Sequence, residues 1–131
     1  KIAKKNSIKL KVYNQINFIC CDWININNNY DIIVSNPPYL SLREYNNSDK
    51  ALRNFEPRIA LLGGKDGLSQ YRKIAPKIFR VSSEKTISFI EIGQGQRVDC
   101  VEIFNEFGLQ CIDILADYQN IERILILRKK N

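Results

Sequence analysis

The sequence predicts an α/β protein built on a doubly wound sheet, and three observations predict it. A short hexapeptide with a continuous apolar centre, Tyr30-Asp31-Ile32-Ile33-Val34-Ser35, stops abruptly at Asn36-Pro37-Pro38-Tyr39. Downstream, Leu68, Tyr71, Ile74-Ala75 and Ile78-Phe79 recur at helical spacing. The chain then finishes on two apolar runs, Leu109 to Leu115 and Arg123 to Arg128, separated by a short polar loop. Strand, helix, strand, helix and a closing strand pair is the order of an α/β domain that ends in a hairpin.

Taken in order, residues 1–9 carry a weak helical pattern through Ile2, Ala3 and Ile8. Asn17 to Trp23 is expected to be a strand ending in a polar–aromatic pair, Asp22-Trp23, with Cys20 and Cys21 on its opposite faces as small buried apolar groups. Asn25 to Asn29 is an Asn-rich loop. Residues 30–35 form a short strand of the kind buried on both faces of a parallel sheet. Two prolines end it, because neither can donate to a ladder. A long loop is expected from Leu40 to about Lys65, and a loop of that length is more often functional than idle. The helix opening at Gly67-Leu68 contains Pro76, which would kink it. Thr86 to Gly93 is the next strand, and Val98 to Phe107 the next helix, closed by Gly108. The two final strands, joined by Ala116 to Glu122, are expected to pair antiparallel.

Composition limits the chemistry. The 131 residues allow one domain, and 44% hydrophobic content suits an ordinary packed core. No apolar run reaches the roughly 20 residues that cross a bilayer. The charged start lacks the profile of a signal peptide, so the expected location is the cytoplasm. There is no methionine, even at position 1, so the chain is expected to be a piece of something longer. The net charge of +6 favours acidic partners such as nucleic acid or ribosome-associated factors, or else reflects an Asn-, Ile- and Lys-rich composition of AT-rich coding. With no histidine, Ser-His and Cys-His catalysis and a histidine general acid are excluded. The four cysteines form no CxxC pair, so the usual zinc recipes fail and no metal is expected.

In doubly wound sheets the ligand crevice lies beyond the carboxyl ends of the strands. There this sequence offers Asp22-Trp23 and Asn36-Pro37-Pro38-Tyr39. The prolines hold the Pro37 carbonyl out as an acceptor, and the Asn36 side-chain oxygen is a second one. Two rigid acceptors suit an NH₂ group with two hydrogens to give, and Tyr39 can stack on the flat group that bears it. Such a pocket would present a planar amide or exocyclic amine for in-line attack, with positioning as its main catalytic effect. The competing reading is a Pro-Pro turn that merely ends a strand, with Asn36 as a turn former.

Asn36-Pro37-Pro38-Tyr39 resembles the NPPY motif of amino-methyltransferases that use S-adenosylmethionine. Phe55-Glu56-Pro57-Arg58-Ile59-Ala60-Leu61, Gly63-Gly64-Lys65-Asp66-Gly67-Leu68 and Tyr71-Arg72 resemble the EPRxAL…GGxDGLxxYR stretch of the HemK/PrmC release-factor glutamine methyltransferases. Glu91-Ile92-Gly93 followed by Gln96 is similar to the segment after that family's fifth strand. The resemblance covers nearly the whole chain, in order. It implies an S-adenosylmethionine-dependent methyltransferase of a release-factor glutamine (in a GGQ motif), with Asn36 and Pro37 holding the target amide and Pro38 and Tyr39 shaping its pocket. It also implies that Asp22, Trp23 and Asn36 lie against the cofactor, Trp23 packing on the adenine unless it is a core or loop-anchoring tryptophan. Glu91 could orient substrate or simply bond to backbone. The glycines of residues 63–67 are turn and helix-start residues by this alignment, and Gly93-Gln94-Gly95 is only superficially a phosphate loop.

The sequence also departs from the family pattern. The cofactor-binding GxGxG turn, the acidic residue after the second strand and the N-terminal helical domain are not in these residues, and no glycine precedes Gly63. The resemblance therefore implies an incomplete Rossmann-like methyltransferase sheet whose first two strands lie upstream of Lys1. The chain would then be the C-terminal portion of one methyltransferase domain. Two consequences are expected: residues 31–35 become an open hydrophobic edge, and this piece alone binds cofactor weakly or not at all. A nucleic-acid adenine methyltransferase and an inactive fragment of a split gene remain as alternatives.

Overall fold

The computed structural model describes residues 1–20 and 29–130. Helix α1 is Ile2–Lys9, followed by a short 3₁₀ turn, Tyr13–Gln15. Strand β1 is Tyr30–Ser35, and three short helices come next: α2 Leu42–Asn47, α3 Lys50–Phe55 and α4 Arg58–Leu61. Helix α5 (Ser69–Val81) leads into β2 (Ser82–Glu91), α6 (Arg97–Glu106), β3 (Leu109–Ala116) and β4 (Glu122–Lys129). The strands form one mixed sheet in the order β1-β2-β4-β3. β1 and β2 are parallel, with Ile33 opposite Ser88 and Val34 opposite Phe89. β4 runs antiparallel to both β2 and β3, so the expected terminal hairpin is present.

Period-two alternation decides which face is core. Ile33, Ser88, Ile90, Leu125 and Leu127 are buried, and paired register puts Ile90 against Leu125 and Ser88 against Leu127. Helices α5 and α6 complete this face with Tyr71, Ile74, Ala75, Ile78 and Val81 from the first and Cys100, Ile103 and Phe104 from the second. The spacing of the α5 set, three and four residues apart, is one stripe of a helix. Pro76 lies on the exposed side of α5, and the helix continues through it. Pro76 removes the N–H that would donate to the Arg72 carbonyl, and the helix still runs on to Val81.

Several expectations need correcting. Residues 17–20 are not a strand; they have no ladder partner among the described residues, and Cys20 is exposed rather than buried. Cys21, Asp22 and Trp23 lie outside the described residues. The loop expected from Leu40 to Lys65 contains α2, α3 and α4. The first is set by a capping box, in which the Glu44 N–H donates to Ser41 Oγ (3.2 Å) and the Ser41 N–H to Glu44 Oε2 (2.7 Å). Strand β2 starts four residues earlier than expected, at Ser82. There the Thr86 hydroxyl donates to the Tyr30 carbonyl (2.5 Å) and the Ser83 N–H to Thr86 Oγ1 (2.9 Å), so polar side chains stitch a strand that hydrophobic patterning overlooks. The C-cap of α6 is Phe107, with Gly108 following at φ 78°. A Cβ on Gly108 would meet the Phe79 ring at 2.8 Å.

β1 is not buried on both faces. Ile33 is 7% exposed, whereas Ile32 and Val34 are 63% and 74% exposed, and β1 stands at the end of the sheet. Ile87, Phe89, Ile124 and Ile126 continue this second face, half-buried. Among the described residues no helix is long and apolar enough to cross a membrane. Ile33→Ala is expected to cost about 2–5 kcal/mol of stability. Val34→Ala, one residue on, is expected to cost under about 0.5 kcal/mol, as an exposed substitution does. Urea unfolding of both variants checks this, and equal losses would mean that the second face is covered.

Candidate functional site

The site is built at the carboxyl end of β1. Asn36-Pro37-Pro38-Tyr39 leaves the strand and is held from below by three backbone segments. The Leu40 N–H donates to the Leu61 carbonyl (3.0 Å) and the Gly63 N–H to the Leu40 carbonyl (2.8 Å). The Gly63 carbonyl in turn accepts from the Ser69 N–H (2.9 Å) and from its hydroxyl (2.5 Å), which fixes the start of α5. Asp66 closes the same turn: its Oδ1 accepts the Leu68 N–H (3.0 Å) and its Oδ2 pairs with Arg72 Nη1 (2.8 Å). The Leu68 N–H, then the Arg72 guanidinium, hold the Asp66 carboxyl below the usual carboxylate range.

Glycine is required where these backbones converge. A Cβ on Gly63 would meet the Gly67 carbonyl at 2.5 Å and the Pro38 carbonyl at 2.7 Å. Gly67, at φ 80°, presses on the Tyr39 carbonyl and stands where a Cβ would come within 2.6 Å of Gln96 Nε2. The glycines of residues 63–67 are therefore places of close approach as well as turns.

Tyr39 is the hub of a polar cluster. Its hydroxyl donates to Glu91 Oε1 (3.3 Å), and its carbonyl accepts from Gln96 Nε2 (2.8 Å). Burial, then the neighbouring Glu91 charge, raises the Tyr39 phenol above its ordinary value. Gln96 Oε1 accepts the Gly93 N–H (3.0 Å) and lies 3.2 Å from the Tyr71 hydroxyl, which is also 3.2 Å from the Glu91 carbonyl. Tyr71 is fully buried and meets Phe104 edge to face. Burial keeps its phenol protonated at any physiological pH. Burial also pushes the nearby Cys100 thiol up to about 12, so it is neither a nucleophile nor a ready metal ligand. Among the described residues no group of three or more Cys, Asp or Glu could hold a metal ion.

Two clefts flank the motif. One of about 260 Å³ is bounded by Ser35, Asn36, Pro37, Pro38, Gln70, Lys73, Ile74 and Lys77. The other, about 240 Å³, lies between residues 36–40 and Leu52, Ala60 and Leu61, so the short helices in the expected loop form its wall. Larger hollows, one between α6 and β3 and one at the start of β2, are open surface grooves that share no residue with these clefts. The structure thus brings Asn36, Pro37, Pro38 and Tyr39 together at one strand end; Asp22 and Trp23 lie outside the described residues. Gln96, Tyr71 and Gly67 were not singled out as site residues from sequence. Tyr71 was hidden in an apolar stripe and Gly67 in a turn, and only the spacing from Glu91-Ile92-Gly93 drew attention to Gln96.

A parallel β1–β2 pair flanked by an antiparallel hairpin, with the ligand-side turn carrying Asn-Pro-Pro-Tyr, is part of a Rossmann-like methyltransferase sheet. Comparison with curated sequences makes the class specific. The chain is 37% identical over 128 residues to the release factor glutamine methyltransferase of Agrobacterium fabrum, covering 97% of this chain and 44% of that protein. It is 36% identical over 131 residues to the Buchnera aphidicola enzyme of the same name, covering 99% and 47%. It is 35% identical over 127 residues to a bifunctional methyltransferase of Rickettsia typhi, covering 95% and 24%. No protein-family model matches. The chain belongs to the HemK/PrmC family, and it spans less than half the length of the relatives it matches.

Substitution at the glycines separates close approach from turn geometry. Gly95 has φ 79° with nothing within 4 Å of a would-be Cβ, so Gly95→Ala carries only the left-handed strain, about 1 kcal/mol. Gly67→Ala adds a clash with the Tyr39 carbonyl and is expected to cost at least about 2 kcal/mol. Thermal unfolding of the two variants side by side checks the difference.

Proposed function

We propose that this chain is the C-terminal portion of a methyltransferase domain that methylates the side-chain amide nitrogen of a glutamine in peptide chain release factors. The observation that carries the proposal is the strand-end position of Asn36-Pro37-Pro38-Tyr39, clamped from behind and open to a cleft on either side. The family and the names of its relatives support the substrate class, and the two clefts are of a size to take one unbranched side chain. The adenine-in-nucleic-acid alternative lacks comparable support, since none of the relatives named above carries a nucleic-acid base in its name.

An amide nitrogen is a poor nucleophile because its lone pair is delocalised into the carbonyl. The Asn36 side-chain oxygen and the Pro37 carbonyl would accept its two hydrogens, holding the nitrogen still and turning its face toward the donor. As the new C–N bond forms, positive charge develops on nitrogen, and both hydrogen bonds strengthen. One proton then passes from the nitrogen to solvent water, restoring a neutral amide. Tyr39 would pack on the amide plane, its ring held by Glu91 and its backbone by Gln96. S-adenosylmethionine would supply an electrophilic methyl group, whose bond to sulfur breaks as the C–N bond forms, the sulfur leaving as a neutral thioether. Each cleft, at about 260 and 240 Å³, fits below the 300–1,000 Å³ typical of a drug-sized ligand site, so the described residues hold at most the reacting end of such a cofactor. Asp22 and Trp23 are proposed to contribute to its remaining contacts.

Asn36→Ala is expected to lower kcat for release-factor methylation by roughly a hundredfold or more, the usual loss when a positioning or charge-stabilising group is removed. The measurement is mass spectrometry of the glutamine-bearing peptide after reaction with the purified protein, at this length or extended to that of its relatives. Unchanged methylation by the variant would refute the assignment of Asn36.

A further inference from the structure

We infer that Gln96 is a positioning residue for the methyl-acceptor pocket, acting through the Tyr39 carbonyl. The inference rests on the function proposed above and adds a residue to it.

The geometry is selective about which residue could stand there. The side-chain amide of Gln96 spends its donor and its acceptor in opposite directions: Nε2 donates to the Tyr39 carbonyl (2.8 Å), while Oε1 accepts the Gly93 N–H (3.0 Å). The Tyr71 hydroxyl, 3.2 Å from the same Oε1, comes from α5 and fixes the amide's orientation from a third element. An oxygen and a nitrogen placed this way leave only one sense for the amide, since a flipped group would set two acceptors face to face and two donors face to face. Gln96 itself sits just before α6, its N–H bonded to the Gly93 carbonyl (3.1 Å) and its carbonyl accepting from Cys100 (2.9 Å), so the stem is as fixed as the head. Gly67 and Gly93 leave the room it occupies, because a Cβ on either would come within 2.7 Å of its amide. The clamp thus joins the end of β2, the start of α6 and the interior of α5 to one backbone carbonyl. That carbonyl is two peptide units from the Pro37 carbonyl, with Pro38 restricting the backbone rotation between them. A shift of the Tyr39 peptide therefore passes directly to the pocket. Misplacement of about 1 Å at a reacting centre is enough to cost on the order of a hundredfold in rate.

Gln96→Glu and Gln96→Leu test this. Glu keeps the acceptor for Gly93 and Tyr71 but replaces the donor with an oxygen, which repels the Tyr39 carbonyl when ionised and can donate to it when protonated. Leu keeps the bulk and can do neither. The ionisable groups around this cluster are Tyr39, Tyr71, Glu91, Cys100 and Arg123. Turnover on a release-factor domain is measured with the protein extended to the length of its relatives, well below the unfolding temperature and across pH, as a ratio to the unsubstituted protein. The Leu40 amide ¹⁵N shift is recorded alongside, since it reports the hydrogen bond to the preceding carbonyl.

The expected result is a loss of roughly ten- to a hundredfold in kcat for both variants above the carboxyl titration, with KM for the cofactor little changed. Gln96→Glu then regains activity, and the Leu40 shift returns, as pH falls through that titration; Gln96→Leu does neither. Unaltered kcat in Gln96→Glu at every pH would overturn the inference, as would losses that follow thermal stability and leave Leu40 unmoved. If the unsubstituted protein, extended to the length of its relatives, methylates no release factor, the proposed function fails and the role of Gln96 falls with it.

Discussion

The arrangement rests on how closely three backbones are brought together behind Tyr39. Residues 38–41, 63–67 and 93–96 converge on a volume too small for side chains, and the glycines at 63, 67 and 93 let them meet. Each of those contacts is polar: carbonyls of Pro38, Tyr39 and Leu40 face N–H groups, a side-chain amide or the edge of a glycine. Buried carbonyls of this kind must be satisfied or they are costly. The Tyr39 and Leu40 carbonyls are satisfied from the far side by Gln96 and Gly63, which frees the near side of the strand end for a ligand. Neither Gln96 nor Gly63 lines the two clefts.

Packing supplies the rigidity behind that convergence. Tyr71 is fully buried, touches Phe104 edge to face and carries its hydroxyl to the Gln96 amide and the Glu91 carbonyl. One side chain thereby couples the hydrophobic core to the polar cluster. Its phenol and the Cys100 thiol are both kept protonated by burial, so neither brings a charge beneath the site. Glu91 and the Asp117–Arg123 pair (2.9 Å) lie at the same end of β2 and β4, where solvent screens them.

What the sequence revealed depended on the kind of signal each element carries. Residues 30–35 were identifiable as a strand because the apolar run Ile32-Ile33-Val34 is followed at once by a polar residue and two prolines, and the structure has the bounds Tyr30–Ser35. The α5 stripe and the final hairpin were equally legible from period and turn spacing. α2 was not recognised although its capping box, Ser41 and Glu44, stands plainly in the sequence; short helices have too few residues to show a period. The first four residues of β2 are polar, so no apolar period marks them as strand; there the Ser83 and Thr86 hydroxyls bond to backbone groups. Cys20 was expected inside a sheet, but a strand cannot bury its side chains without a neighbour to pair with. For the site, Asn36 to Tyr39 announced themselves by composition, whereas Gln96 has ordinary neighbours and its importance lies in contacts 57 residues away.

The central claim is that Asn36, Pro37 and Tyr39 receive a primary amide. Its most direct test is an NMR titration of this chain with a release-factor domain bearing the target glutamine, and with the same domain carrying glutamate there. The account predicts saturable shifts at the Asn36 side-chain NH₂ and at the Tyr39 and Leu40 amides with glutamine, and their loss with glutamate, which has no N–H to give. Equal shifts with both domains, or shifts confined to the groove between α6 and β3, would contradict it.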